Sequence, residues 1–309
     1  MRRACAVSTR CGPLPLWSDP IPPEFPMRKW LMLTMLSCAC AAASAQTLVH
    51  FPSTDGPPAT MLDGYLFPAP GAGRHPALVF LHGCAGMFSR SGRVSARERD
   101  WAARFNAAGI TVLEVDSFTP RHHGQMCSPA SFDGAIYRAR PFDAYGALRY
   151  LQSLETVMPD RIGVVGWSQG GGTVLSAIRA SSTARPASLP DGDFRAAVAF
   201  YPARCSTKAQ GAEWQSAVPL LVLIGEQDVW SPFAACKALF DSVAPGTDAT
   251  FHAYPGAYHD FDWPDMPVHT VPAFTTRAGV VPIEGTDPAA RADAQQRVLD
   301  YVGAHLLGN

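Results

Sequence analysis

The sequence predicts an α/β domain: a mostly parallel sheet of about eight strands with helices on both faces. Three observations carry this. From residue 47 onward, apolar runs of strand length alternate with helical patterns. Two of those runs, residues 76–81 and 219–224, are apolar throughout, as strands buried on both faces must be. No repeat, linker or composition break divides the chain, and 309 residues suffice for one large core.

The elements follow in order. Residues 47–51 and 60–67 read as two early strands, and 76–81 as the first fully buried one. Ser95 and Glu98 have the spacing of a capping box, opening a helix with Trp101, Ala102, Phe105 and Ala108 on one side and Gly109 at its end. Residues 110–115 are the next strand. Pro141 can open a second helix that carries Phe142, Tyr145, Leu148 and Leu151 on one face. Strands at 162–166, 196–200, 219–224 and 250–254 then alternate with helices at 170–180, after Ser231-Pro232, and from Asp287-Pro288 to the end, where Val298, Val302 and Leu306 form the buried side. Residues 262–285, with Pro264, Pro267, Pro272 and Pro282, read as a long irregular loop, a feature that is usually either functional or disordered.

The N-terminus lies outside this pattern. Met27-Arg28-Lys29 is a short positive start, residues 30–43 are apolar or small, and Ala43-Ser44-Ala45 has the small-x-small form of a signal peptidase site. Residues 27–45 therefore read as a secretory signal peptide, with residues 1–26 an extension from a start assigned too early; an uncut signal anchor is the alternative. The apolar run is too short for a spanning helix. Residues 1–45 hold five basic and two acidic residues, so the remainder has 20 basic against 24 acidic, a net charge of −4. With 47% hydrophobic and 17% charged residues and no basic block, the composition argues against disorder and against a nucleic-acid partner. Cys84, Cys127, Cys205 and Cys236 remain, an even number suited to an oxidising compartment and matching no zinc spacing.

Gly166-Trp167-Ser168-Gln169-Gly170 has the form G-x-S-x-G between a buried strand and a helix. Such a turn lifts a serine hydroxyl above the sheet, and the flanking positions must lack side chains. The helix that follows directs its N-terminus at the point where negative charge would develop. A phosphate loop is the rival reading, but the Walker lysine and the dinucleotide pattern are missing. A serine nucleophile needs a base and an acid to orient that base, in the chain order Ser, Asp or Glu, His. Asp228, after the strand at 219–224, is the candidate acid; Glu226 competes, and a helix cap near Ser231 is the structural alternative. His259, after the last strand, is the candidate base ahead of His252, His269 and His305. The oxyanion donors are assigned to the backbone N–H groups of Gln169 and Cys84, the latter in the turn His82-Gly83-Cys84-Ala85-Gly86. Trp167, Arg121 and Trp230 are candidates for the pocket wall, with ordinary packing as the alternative for each.

Leu81-His-Gly-Cys-Ala-Gly86, Asp116-Ser-Phe-Thr-Pro-Arg121, Gly166-Trp-Ser-Gln-Gly-Gly171, Gly225-Glu-Gln-Asp228 and Tyr258-His-Asp-Phe261 together resemble the dienelactone hydrolase family of the α/β hydrolases, over residues from about 76 to 309. The resemblance implies the α/β-hydrolase fold and hydrolysis of a small carboxylic ester or lactone without metal or organic cofactor. The family's founding enzymes carry a cysteine nucleophile where this chain has Ser168, so their dienelactone preference does not carry over. The Gly-Trp-Ser-x-Gly turn is also similar to that of exported polyesterases, which keeps polyester substrates open. Exported members of the family often have cysteines near positions 205 and 236, which implies a Cys205–Cys236 disulfide and leaves Cys84–Cys127 as the other pair. A peptidase or acyltransferase could use the same triad, and a binding protein could keep the fold without catalysis; the expected partner is a small-molecule ester or lactone and not nucleic acid, with the oligomeric state left open.

Overall fold

The computed structural model describes residues 46–243 and 246–308. The expected signal peptide and N-terminal extension lie outside the described residues. The chain begins with the antiparallel pair β1 (Thr47–Pro52) and β2 (Met61–Phe67). There follow β3 (His75–Leu81), α1 (Ala96–Ala107), β4 (Thr111–Asp116), α2 (Gly134–Gln152), β5 (Val157–Trp167), α3 (Gln169–Ala177), β6 (Ala197–Phe200) and the short α4 (Thr207–Gln210). Then come β7 (Leu220–Gly225), α5 (Phe233–Asp241), β8 (Ala249–Tyr254), β9 (His269–Thr270), β10 (Ile283–Glu284) and α6 (Pro288–Val302), which widens into a π-turn at Gly303–Leu307.

Eight strands form one sheet in the order β1-β2-β4-β3-β5-β6-β7-β8, with helices on both faces. The neighbours from β4 through β8 pair in parallel, and β2 joins β4 antiparallel. This is the α/β-hydrolase fold. The two apolar runs are β3 and β7, the latter buried along its whole length, because helices cover them on both sides. Trp101, Trp167, Phe200 and Phe261 form an aromatic cluster in which Trp167 and Phe200 stack at 5.5 Å and Trp101 and Phe261 lie tilted against Phe200.

Two local expectations fail. The second helix begins at Gly134, not at Pro141, because the Asp133 carboxylate accepts from the N–H groups of Ala135 (2.7 Å) and Ile136 (3.1 Å). Pro141 lies buried inside that helix, where packing outweighs one lost backbone bond. The Ser95/Glu98 capping box does not form: the Ser95 hydroxyl is buried and unpaired, and Glu98 turns to the buried guanidinium of Arg97 at 2.6 Å. A buried cation claims a carboxylate more strongly than a helix terminus does.

Both disulfides are present, Cys205–Cys236 and Cys84–Cys127. The first ties the segment after β6 to α5 across 31 residues of sequence. Replacing both Cys205 and Cys236 by alanine should lower stability by about 2–4 kcal/mol, read as a lower midpoint of urea unfolding. No helix among the described residues is long and apolar enough to cross a membrane.

Candidate active site

The ends of β3, β5, β7 and β8 deliver their following loops to one edge of the sheet, the carboxyl edge, where ligands bind in open parallel sheets. Ser168 follows β5 directly with φ 51° and ψ −112°, a conformation rare for a side-chain-bearing residue. Its neighbours impose it. A Cβ on Gly170 would collide with Leu81 O, and one on Gly166 with Gly170 O, so the strand, turn and helix close only with glycine at both positions. The Ser168 backbone is fixed on each side, its N–H donating to Phe200 O (3.0 Å) and its carbonyl accepting from Gly172 (2.9 Å) and Ala203 (2.8 Å).

Asp228 and His259 meet at 2.7 Å, Oδ2 to Nδ1, both buried. The other Asp228 oxygen accepts from the N–H groups of Trp230 and Ser231, each at 2.8 Å. The helix cap weighed against catalysis does not form: α5 starts at Phe233 after Pro232 with no side-chain cap, and this Asp228 oxygen holds the turn before it. Ser168 and His259 line one cavity of about 450 Å³ together with Cys84, Trp230, Trp263 and Glu284. No hydrogen bond joins Ser168 to His259 among the described residues; the two meet as walls of that one cavity. Of the rival acids and bases, Glu226 is exposed, His252 pairs with Asp293, His269 lies in the β9–β10 hairpin and His305 in the terminal π-turn.

Burial works against the His259 cation, but the Asp228 charge and hydrogen bond more than offset it, aided by Asp260 and Glu284, and the imidazole titrates above the ordinary histidine range. Glu284 lies on β10, bridged backbone to backbone with His259. Burial and then the Asp260 charge push its carboxyl up to about 7.

The N–H groups of Gln169 and Cys84 donate to no other protein atom among the described residues. Two constraints hold them. Arg140, fully buried on α2, donates to Gln169 Oε1 (2.8 Å) and to His82 O (2.5 Å), linking the turn at Ser168 to the loop after β3. Burial pushes its guanidinium down to about 10, leaving it cationic at neutral pH. Cys84 is also tied through its disulfide to Cys127 at the cavity wall, where Met126 N donates to Cys84 O at 2.7 Å.

Several residues at the site escaped the sequence reading. Asp262 accepts from the indole N–H groups of Trp101 (2.8 Å) and Trp167 (2.9 Å) and, on its other oxygen, from the Tyr201 hydroxyl (2.5 Å). Arg97 donates to Tyr201, Asp260 (2.7 Å) and Glu98, and its guanidinium lies near the rings of Trp167 and Trp263. The Tyr201 ring packs 4.5 Å from His259. The pattern His-Asp-Phe-Asp at 259–262 was a signal that could have been followed: acids flanking a candidate base. Trp167 belongs to the core and not to the cavity wall, Arg121 is held by Asp143 and Asp55, and Trp230 alone of the three lines the cavity. The segment 262–285 supplies Trp263, Met266, Phe274 and Glu284 to the wall.

The model of the dienelactone hydrolase family matches residues 135–306. The chain belongs to the dienelactone hydrolase family. No curated protein matches the sequence. Among solved structures, a dienelactone hydrolase-like promiscuous phosphotriesterase from metagenomic libraries is 20% identical, with a TM-score of 0.57 over 84% of this chain and 99% of that one. A dienelactone hydrolase, described as putative, from Klebsiella pneumoniae is 17% identical, with a TM-score of 0.57 over 84% and 99%. Esterase 2 of Thermogutta terrifontis is 15% identical, with a TM-score of 0.58 over 85% and 95%. At these identities the likeness is one of fold. Within the dienelactone hydrolase family, this chain has a serine at the strand-to-helix turn.

Proposed function

We propose that this dienelactone hydrolase family member is an exported serine hydrolase that cleaves small carboxylic esters or lactones through an acyl-enzyme. The observation that carries the reading is a buried Asp228–His259 pair opening onto the same cavity as a serine held at positive φ. In the proposed reaction the His259 imidazole takes the Ser168 proton as the hydroxyl attacks the ester carbonyl. Asp228, bonded to Nδ1, fixes the tautomer with Nε2 free and stabilises the imidazolium. The N–H groups of Gln169 and Cys84 receive the oxyanion, each contributing about 3 kcal/mol. His259 returns the proton to the departing alcohol, and water then releases the acid by the same steps in reverse.

A cavity of about 450 Å³ walled by Trp230, Trp263, Phe274 and Phe88 suits a small ester with an apolar part. Export rests on the leader-like residues 27–45 and accords with the two disulfides. The direct test is labelling with a fluorophosphonate probe, followed by peptide mapping. One equivalent of label on Ser168 is expected, with turnover of p-nitrophenyl esters well above that of amide analogues. A protein that takes no label would contradict the reading.

The pH profile follows from the charges around the base. Only neutral His259 can accept the serine proton, and its neighbours hold its titration above about 6.5, so kcat/KM should fall with acid from a limb above that value. Glu284→Gln removes one of the anions that favour the imidazolium. The limb should therefore move to lower pH by several tenths of a unit, read from kcat/KM across the neutral range; a limb that stays in place would separate Glu284 from His259 electrostatically.

A further inference from the structure

A second cavity, of about 470 Å³, opens between the start of α2, the end of α3 and α4, and shares no residue with the one that holds Ser168. Three arginines line it, Arg138, Arg179 and Arg204, and no carboxylate does. Among the described residues none of the three has an acidic side chain within salt-bridge distance. The only side-chain hydrogen bond they make is a long one, from Arg179 Nη1 to Gln210 O at 3.4 Å. The two acids nearest Arg138 in sequence are committed elsewhere, Asp133 to capping α2 and Asp143 to Arg121 and Ser53.

Two buried polar atoms there lack partners. The Arg179 Nε is buried without an acceptor. Tyr137, nine-tenths buried, carries a hydroxyl with no hydrogen-bond partner, while Ser176 beside it in the wall gives its own proton to Gly172 O at 3.0 Å. The Arg204 guanidinium lies 5.5 Å over the Tyr137 ring, and its backbone is held at φ 56°. Phe132 and Phe142 add apolar wall. Clustered guanidiniums repel one another, and an unpaired buried hydroxyl is costly, so the arrangement lacks what a bound oxyanion would supply. Arginine forks match the geometry of carboxylate and phosphate oxygens.

We infer that this cavity is a binding site for a small organic anion, with a carboxylate or phosphate head among Arg138, Arg179 and Arg204 and an apolar body against Tyr137, Phe132 and Phe142. The inference does not depend on the reaction proposed at Ser168. The head accepts from the guanidiniums and from the Tyr137 hydroxyl, and the body displaces water from the aromatic wall.

Isothermal titration of the purified protein with benzoate, phenyl phosphate, benzamide and inorganic phosphate tests it. One equivalent of benzoate or phenyl phosphate should bind, with an affinity that weakens as chloride is raised. The tighter of the two identifies the head group. Benzamide, which keeps the ring and lacks the charge, and inorganic phosphate, which keeps the charge and lacks the ring, should each bind more weakly. Arg204→Gln and Arg138→Gln, both at exposed positions that should leave the fold intact, should each weaken binding by roughly tenfold. Equal binding by the variants and the parent, benzamide as tight as benzoate, or no saturable binding of either aromatic anion would overturn the assignment. Each readout is a binding constant, so failure here is distinct from failure of the esterase reading.

Discussion

Ser168→Ala is expected to reduce ester turnover by roughly five to six orders of magnitude while leaving the unfolding midpoint close to that of the parent. On the proposed mechanism the size of the loss follows from the three residues acting as a unit: without the hydroxyl, the Asp228–His259 pair would have no proton to accept and the N–H groups of Gln169 and Cys84 no covalent intermediate to stabilise. The fold should survive because the structural demands at this turn fall on the backbone. The serine N–H and carbonyl hold Phe200, Gly172 and Ala203, and Gly166 and Gly170 provide the close approach. Burst kinetics with a p-nitrophenyl ester and a urea titration on the same preparation check both halves. Residual activity within tenfold of the parent would remove Ser168 from the chemistry.

Asp262→Ala should be the most destabilising of the single changes considered, costing roughly 3–5 kcal/mol. One carboxylate satisfies three buried donors, the indoles of Trp101 and Trp167 and the hydroxyl of Tyr201. Those donors sit on α1, at the end of β5 and just after β6, so the residue joins the loop bearing His259 to the strand that ends at Ser168. Burial raises the Asp262 carboxyl, and the nearby Arg97 cation pulls it back, so the charge and its counter-charge are buried together. Alanine would leave three donors unpaired in a place without water and remove one of the anions around Arg97. The urea midpoint should fall, and kcat should fall more than KM rises, because His259 loses its support and not its contact with substrate. Asp262→Asn keeps the shape and should lie between the two, its amide oxygen serving the indoles and its NH2 facing Tyr201.

The sequence disclosed those parts of the fold and site that local chemistry alone decides. Strand β7 and the turn at Ser168 were legible because each combines an apolar run or a glycine requirement with a fixed position along the chain. Asp228 and His259 could be ordered by their place after successive strands. The start of α2 was misplaced because Pro141 is a strong local signal and the Asp133 cap a weak one. The capping box at Ser95 failed because its glutamate is claimed by Arg97, a partner decided by three-dimensional burial. Arg140, Arg97 and Asp262 were invisible for the same reason. Apart from the adjacent Arg97–Glu98 pair, their side-chain partners lie 29 to 163 residues away, and a lone arginine or aspartate in a sequence gives no sign of where it will be buried.

Asp228 divides its two oxygens between unlike duties, one holding a loop and the other an imidazole. Its torsional freedom is thus removed while the polypeptide folds, before any substrate arrives. If the proposed reaction holds, the ordering entropy of this carboxylate would not recur in each cycle, and a longer glutamate, unable to keep both grips at once, would have to search for its pose at every turnover.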